Sequence, residues 1–163
     1  MGLTIFTVDD TTQHPGVTVE DDVISRTGSG GWVTLKATQT LTPTNKQWAV
    51  KVINQGEGTD GSGLMLGLLP KINSGSLMSS KYISEMGGWC ISRAGESYGS
   101  WKCDRLPFGT GCVVEFELDL PGKALHMICG KQKVVGSIPQ LVEGAEYYPA
   151  VSVYYNNQKV MFV

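Results

Sequence analysis

The sequence predicts an all-β protein, a sandwich of two antiparallel sheets with about 12 strands. Short apolar or alternating segments recur along the 163 residues, and clusters of Gly, Pro, Asn and Asp separate them. No segment between these clusters repeats its apolar residues with the 3.6-residue period of a helix. Glycine supplies 21 of the 163 residues, a share well above the usual value of about 7%, as expected of a protein rich in turns.

The last third of the chain shows the strand pattern most clearly. In the segment GCVVEFELDL (111–120), apolar and acidic residues alternate, which places them on opposite faces of a strand. Pro121-Gly122 then turns the chain into a second strand at 123–130. Three further strands are predicted at 133–138, 147–155 and 158–163, the last two joined by Asn156-Asn157, a dipeptide that tolerates a left-handed backbone.

The first two thirds continue the same pattern with shorter segments. Seven strands are predicted at 3–8, 17–25, 31–37, 47–54, 63–69, 88–92 and 98–103. The connection from Pro70 to Met86 is long and has no strand character. Because long irregular connections in compact domains are often functional, we expect this segment to form a binding loop.

Length and charge limit the classes of function. We expect residues 1–163 to form one domain, because a chain of this size can bury a sufficient core. The net charge is −2 and the basic residues are scattered, so we expect no nucleic-acid partner. No apolar run approaches the roughly 18 residues of a membrane span, and no secretory leader is evident. We expect a soluble, intracellular and monomeric domain that does not bind membranes.

Four cysteines could form two disulfides in an oxidising compartment. We expect free thiols instead, because Cys112 and Cys129 lie in apolar strands and the chain has neither a leader nor a glycosylation sequon. The closest pair of candidate metal ligands, His126 and Cys129, falls on opposite faces of one strand. We therefore expect no metal site and no cofactor.

One motif favours catalysis. Glu115 and Glu117 share a strand face about 7 Å apart, a separation that suits the paired carboxylates of a glycoside hydrolase. The competing interpretation is the solvated outer face of an amphipathic strand. We prefer it, because a glycosidase of this type would place its carboxylates on a concave face lined by aromatic residues.

Four segments together resemble a known family, the SPRY domains, which have a bent, concanavalin-like sandwich or jelly-roll fold. They are QWAVKVIN followed by GLMLGLLP, GWCISRAGESYGS, FGTGCVVEFELDLPGKALHMICGKQKVVGSI, and YYPAVSVYYNNQKVMFV. Cys112, Met127 and Cys129 depart from the usual Asp, Phe and Asn of the pattern, as in a divergent member. The resemblance implies a non-catalytic module that binds a peptide or protein surface through loops at one edge of the sandwich.

The resemblance and the aromatic residues near turns suggest a binding site. The candidate residues are Lys81, Tyr82, Arg93, Tyr98, Trp101, Tyr154 and Asn156. The alternative in a second class is a lectin, since concanavalin-like sandwiches also bind sugars through loop residues. A calcium-dependent lectin would need clustered acidic ligands, and only Glu57 and Asp60 come near to such a cluster.

Overall fold

The computed structural model describes residues 6–10, 14–28, 31–58, 61–71 and 81–163. These residues contain twelve strands, a short 3₁₀ helix at Ile83–Met86 and no α-helix. The strands are β1 (Val17–Glu20), β2 (Val23–Arg26), β3 (Val33–Lys36), β4 (Gln47–Asn54), β5 (Leu64–Pro70), β6 (Trp89–Ser92), β7 (Ser97–Tyr98), β8 (Val113–Asp119), β9 (Ala124–Cys129), β10 (Gln132–Ser137), β11 (Tyr147–Val153) and β12 (Lys159–Phe162). None of the helical segments in the described ranges has the length and apolar character that a membrane crossing requires.

The strands form two antiparallel sheets. The larger sheet has seven strands in the order β1-β2-β12-β4-β8-β9-β10, and the smaller has five in the order β3-β11-β5-β6-β7. Apolar side chains from both sheets meet in one core between them. The predicted two-sheet β-sandwich with about 12 strands is therefore confirmed.

The seven-stranded sheet has one buried face and one open face. In β8 every second residue is buried, beginning with Val114 and Phe116, and Glu115 between them is exposed. The indole of Trp48 on β4 stacks on Phe116 with ring centroids 4.8 Å apart. The predicted alternation of buried and solvent-facing side chains in this strand is thus confirmed.

The five-stranded sheet is buried on both faces. In β5 the residues Leu64, Leu66 and Leu68 face the main core, and Met65 and Leu69 face the other way into a second apolar cluster. The 3₁₀ helix and nearby aromatic rings cover this second cluster. Burial on both sides explains why β5 reads as a continuous apolar run rather than as an alternating one.

Two polar residues on the outer face of the five-stranded sheet attach the covering segment to it. Thr34 on β3 and Ser152 on β11 are partners across the two strands, both fully buried, with their hydroxyl oxygens 2.7 Å apart. The Ile83 amide donates to Ser152 Oγ (3.1 Å), and the Thr34 hydroxyl donates to the Lys81 carbonyl (2.8 Å). The Ser152 hydroxyl must then donate to Thr34, so the bonds form one continuous relay from Ile83 to Lys81.

Several strands differ in extent from the sequence prediction. The segment 17–25 is a hairpin and not one strand, because Asp21 and Asp22 adopt left-handed φ values of 51° and 63° and reverse the chain. The predicted strand 98–103 is reduced to Ser97–Tyr98, since Gly99 (φ 113°) breaks it. The strand predicted at 147–155 ends at Val153. Of the strand predicted at 3–8, residues 3–5 lie outside the described residues. Residues 6–8 form no strand, and Val8 makes only an isolated β-bridge with Ala37.

Replacement of Gly67 by alanine is expected to destabilise the fold. A Cβ at Gly67 would lie 2.7 Å from the Cys90 Cα and closer still to the Trp89 carbonyl oxygen, so the backbone of β6 would have to move. We expect Gly67→Ala to lower the free energy of unfolding by about 3 kcal/mol in urea titrations.

Gly144→Ala is the matched control for that substitution. Its Cβ would meet no atom within 4 Å, but its φ of +84° is left-handed, so we expect a loss of only about 1 kcal/mol. Equal losses in the two variants would contradict the claim that Gly67 is required by lack of space beside β6.

Replacement of Ser152 by alanine is expected to loosen the covering segment. It removes the acceptor of the Ile83 amide and the donor to Thr34, so buried polar groups lose their partners. We expect a loss of about 2 kcal/mol of stability and faster hydrogen exchange at the Ile83 amide. The exposed Ser137→Ala is the control and should change stability by less than about 0.5 kcal/mol; identical effects of the two variants would contradict the relay.

Candidate functional site

A continuous row of five aromatic rings lies beside the covering segment, and we call it the aromatic surface: Tyr98, Tyr82, Trp32, Tyr154 and Tyr155. The ring centroids of neighbours in this order are 6.1, 5.2, 5.1 and 4.9 Å apart. The rings meet at tilted or edge-to-face angles, which are the favoured geometries for aromatic pairs. All five side chains are half-buried, so each is held in place and still offers area to a partner.

The first part of the aromatic surface is held by the five-stranded sheet. Tyr98 is on β7, Trp32 directly precedes β3, and Tyr82 directly precedes the 3₁₀ helix. These three rings pack against the second apolar cluster. The Tyr82 amide also donates to the Glu85 carboxylate (3.2 Å), and the relay described above fixes the residues on both sides of Tyr82.

Gln158 holds the other end of the aromatic surface. Its side chain is 1% exposed, and its Oε1 accepts the amides of Tyr154 (2.7 Å) and Tyr155 (3.0 Å). Its Nε2 donates to the carbonyls of Gln55 (3.2 Å) and Gly63 (2.9 Å). One buried amide thereby ties the turn that carries both tyrosines to the neighbouring loop, with all its strong donors and acceptors in use.

Arg26 supports the loop that leads into Trp32. Its guanidinium donates to the carbonyls of Gly16 (2.9 Å), Thr27 (3.1 Å) and Gly31 (3.2 Å). Burial lowers the pKa of Arg26 from its ordinary value, and the nearby Tyr154 opposes that shift. The Arg26 side chain therefore links the backbone at Gly16, Thr27 and Gly31 through hydrogen bonds.

The structure brings four of the seven predicted site residues together. Tyr82, Tyr98 and Tyr154 belong to the aromatic surface, and Lys81 is the exposed neighbour of Tyr82 in the chain. The connection 70–86, which we expected to form a binding loop, contributes Lys81 and Tyr82. Residues 72–80 of it lie outside the described residues.

The other three predicted residues have different surroundings. Trp101 is only 6% exposed, packs in the main core, and donates its indole N–H to the Tyr98 carbonyl (2.9 Å). Its ring also lies against Gly136, where a Cβ would overlap it. We therefore leave Trp101 out of the site, because a ring enclosed in the core has no face to offer a ligand.

Arg93 and Asn156 form hydrogen bonds between neighbouring loops and turns. The Arg93 amide donates to the Leu64 carbonyl and its own carbonyl accepts the Phe108 amide, both at 3.0 Å. Asn156 accepts the Gly28 amide through Oδ1 at 2.8 Å. Both residues are half-buried, and these bonds join neighbouring loops.

The sequence prediction missed Trp32 and Tyr155. All four tryptophans are described, and only Trp32 is half-buried, but its position at a strand start did not reveal this. Tyr155 lies two residues after the buried Val153, so strand alternation predicts that its ring also points into the core. The strand ends at Val153, and the alternation therefore does not extend to Tyr155. In the folded chain the Tyr155 ring packs against Gly58, where a Cβ would overlap it.

Glu115 and Glu117 line a groove of about 720 Å³ on the open face of the seven-stranded sheet, with His126, Ile128 and Lys133 nearby. Glu117 accepts a hydrogen bond from Gln47 (3.0 Å) and pairs with Lys46 (3.6 Å). The aromatic residues at the border of this groove are at most 5% exposed and belong to the core: Phe6, Trp48 and Phe116. This surrounding favours a solvated sheet face over a sugar-cleaving site.

No group of three or more His, Cys, Asp and Glu side chains suited to a metal ion occurs in the described ranges. Glu57, one of the two acidic residues considered for calcium, accepts a hydrogen bond from Asn157 Nδ2 (2.8 Å) and so braces the final hairpin. Asp60, the other, lies outside the described residues. Asn157 has a φ of 69°, the left-handed turn conformation predicted for this dipeptide.

Comparison with known proteins gave no family model and no curated protein that matches the chain. Solved structures do match. A human SPRY domain has a TM-score of 0.69 at 15% identity, covering 90% of this chain and 94% of that one. The SPRY domain of human HERC1 has a TM-score of 0.67 at 20% identity, covering 96% and 93%.

The neuralized NHR1 domain of Drosophila melanogaster is also similar, with a TM-score of 0.69 at 8% identity and 98% coverage of both chains. At such identities it is the architecture that is shared, over nearly the full length of each chain. This chain therefore has the fold of the SPRY domains.

Proposed function

We propose that the chain is a non-catalytic protein-interaction module that binds an extended peptide segment of a protein partner through the aromatic surface. The observation that supports this is the row of five half-buried rings with centroid separations of 4.9–6.1 Å. Tyrosine and tryptophan are enriched where proteins bind one another, because each combines a large apolar area with a polar atom.

The support beneath the rings suits such a role. The relay through Thr34 and Ser152 holds Tyr82, and Gln158 holds Tyr154 and Tyr155. A surface that is already ordered loses little conformational entropy when a peptide binds. We propose that Lys81, exposed at the rim, adds a charged contact, and that residues 1–163 act as one module inside the cell.

Tyr82→Ala and Tyr154→Ala are expected to weaken peptide binding by about tenfold or more, because central aromatic residues dominate such interfaces. Peptides selected on the full chain from a random displayed library would be titrated calorimetrically against each variant. Lys133→Ala, in the groove on the opposite sheet, is the matched control and should bind normally. Melting temperatures of all variants would show that the fold is retained.

Trp32 supplies an independent readout. The other three tryptophans are at most 6% exposed, so a bound peptide should protect mainly Trp32 from quenching by acrylamide. The proposal fails if the selected peptides lose affinity for Lys133→Ala or Glu117→Gln and not for the tyrosine variants. Binding on a glycan array that requires Tyr82 and Tyr154 would replace it with the lectin interpretation, and hydrolysis abolished by Glu115→Gln or Glu117→Gln would establish the enzyme.

A further inference from the structure

Two cysteine side chains converge at the open end of the β8-β9 hairpin. Cys129 is the partner of Val114 across the two strands, and Cys112 lies two residues before Val114. Since side chains alternate along a strand, Cys112 and Cys129 lie on the same face of the sheet. Both are half-buried against the main core, and the two thiols are close enough to interact.

The backbone around this pair is well fixed. The Cys112 amide donates to the Gly109 carbonyl (3.0 Å), its carbonyl accepts the Val52 amide (2.9 Å), and its sulfur accepts the Gly109 amide (3.4 Å). Cys129 ends β9, between β8 and β10. A disulfide requires that two sulfurs can meet. Cys112 and Cys129 are diagonal neighbours on one face of the sheet, and their thiols interact.

The other two cysteines differ from this pair. Cys90 is fully buried on the outer face of the five-stranded sheet, its thiol donates to Met65 Sδ (3.5 Å), and burial raises its pKa to about 12. Burial also raises the pKa of Cys103, with a contribution from Asp104. No hydrogen bond within the described residues joins either thiol to a second cysteine.

We propose that Cys112 and Cys129 are a reversible dithiol–disulfide site, oxidised by a small disulfide of the glutathione class. One cysteine thiolate attacks glutathione disulfide, forms a mixed disulfide and releases one glutathione. The second thiolate then attacks the protein sulfur, which forms the Cys112–Cys129 bond and releases the second glutathione. Two protein thiols are oxidised, one glutathione disulfide is reduced to two thiols, and the two cysteine protons pass to them.

The environment of Cys129 sets a pH dependence for the exchange. Burial and the neighbouring Cys112 raise the pKa of Cys129 to about 11, so its thiolate is scarce at neutral pH. Because the thiolate fraction rises with pH below the pKa, the crosslink should form faster by up to about tenfold for each pH unit above 7.

Trypsin separates all four cysteines, which makes the test direct. Cleavage after Lys and Arg puts Cys90 in peptide 82–93, Cys103 in 103–105, Cys112 in 106–123 and Cys129 in 124–131. The folded chain would be equilibrated with glutathione disulfide, quenched with acid, alkylated and digested without reductant. We expect a crosslink between peptides 106–123 and 124–131, about tenfold more abundant than any other pairing and absent after reduction.

Cys103→Ser is the matched control and should leave this crosslink unchanged. Cys112→Ser should abolish it and leave at most a mixed disulfide of glutathione on Cys129. The proposal is overturned if the native chain gives only mixed disulfides, or if the crosslink involves Cys90 or Cys103. A loss of the melting transition in Cys112→Ser would leave the peptide map of the native chain as the deciding result.

Discussion

The organisation of this protein depends on the burial of its five-stranded sheet from both sides. An antiparallel sheet commonly leaves one face to water, but here Met65, Leu69 and Cys90 form an apolar outer face that needs a cover. The cover is a 3₁₀ helix and a group of aromatic rings. Because Thr34 and Ser152 are buried beneath it, the backbone of the covering segment has to supply their hydrogen-bond partners.

The aromatic surface follows from that requirement. Rings large enough to cover the sheet are also large enough to leave part of each ring in solvent, and Tyr82 and Trp32 do both. The opposite sheet has a different chemistry: its open face carries Glu115, Glu117 and Lys133, and its aromatic side chains point into the core. The molecule therefore has one aromatic face held by buried hydrogen bonds and one charged face of the kind that water solvates.

Much of the fold could be predicted because strand alternation is a local property. The segment 111–120 alternates in the structure as it does in the sequence, and Asn157 adopts the expected left-handed turn. Prediction was less accurate where one residue breaks a regular pattern. Asp21-Asp22 lies within a run that alternates on both sides, and Gly99 ends a strand that its neighbours would continue.

The sequence by itself determined the class of fold, most of the strands and the inner and outer sides of the longest hairpin, since these depend on neighbours two residues apart. Only the tertiary structure decided which aromatic residues meet. Trp32 and Tyr154 come from distant parts of the chain, and Trp101, which resembles them in sequence context, is enclosed in the core. Such distinctions depend on how two sheets and a covering segment pack, and no local pattern in the chain records that packing.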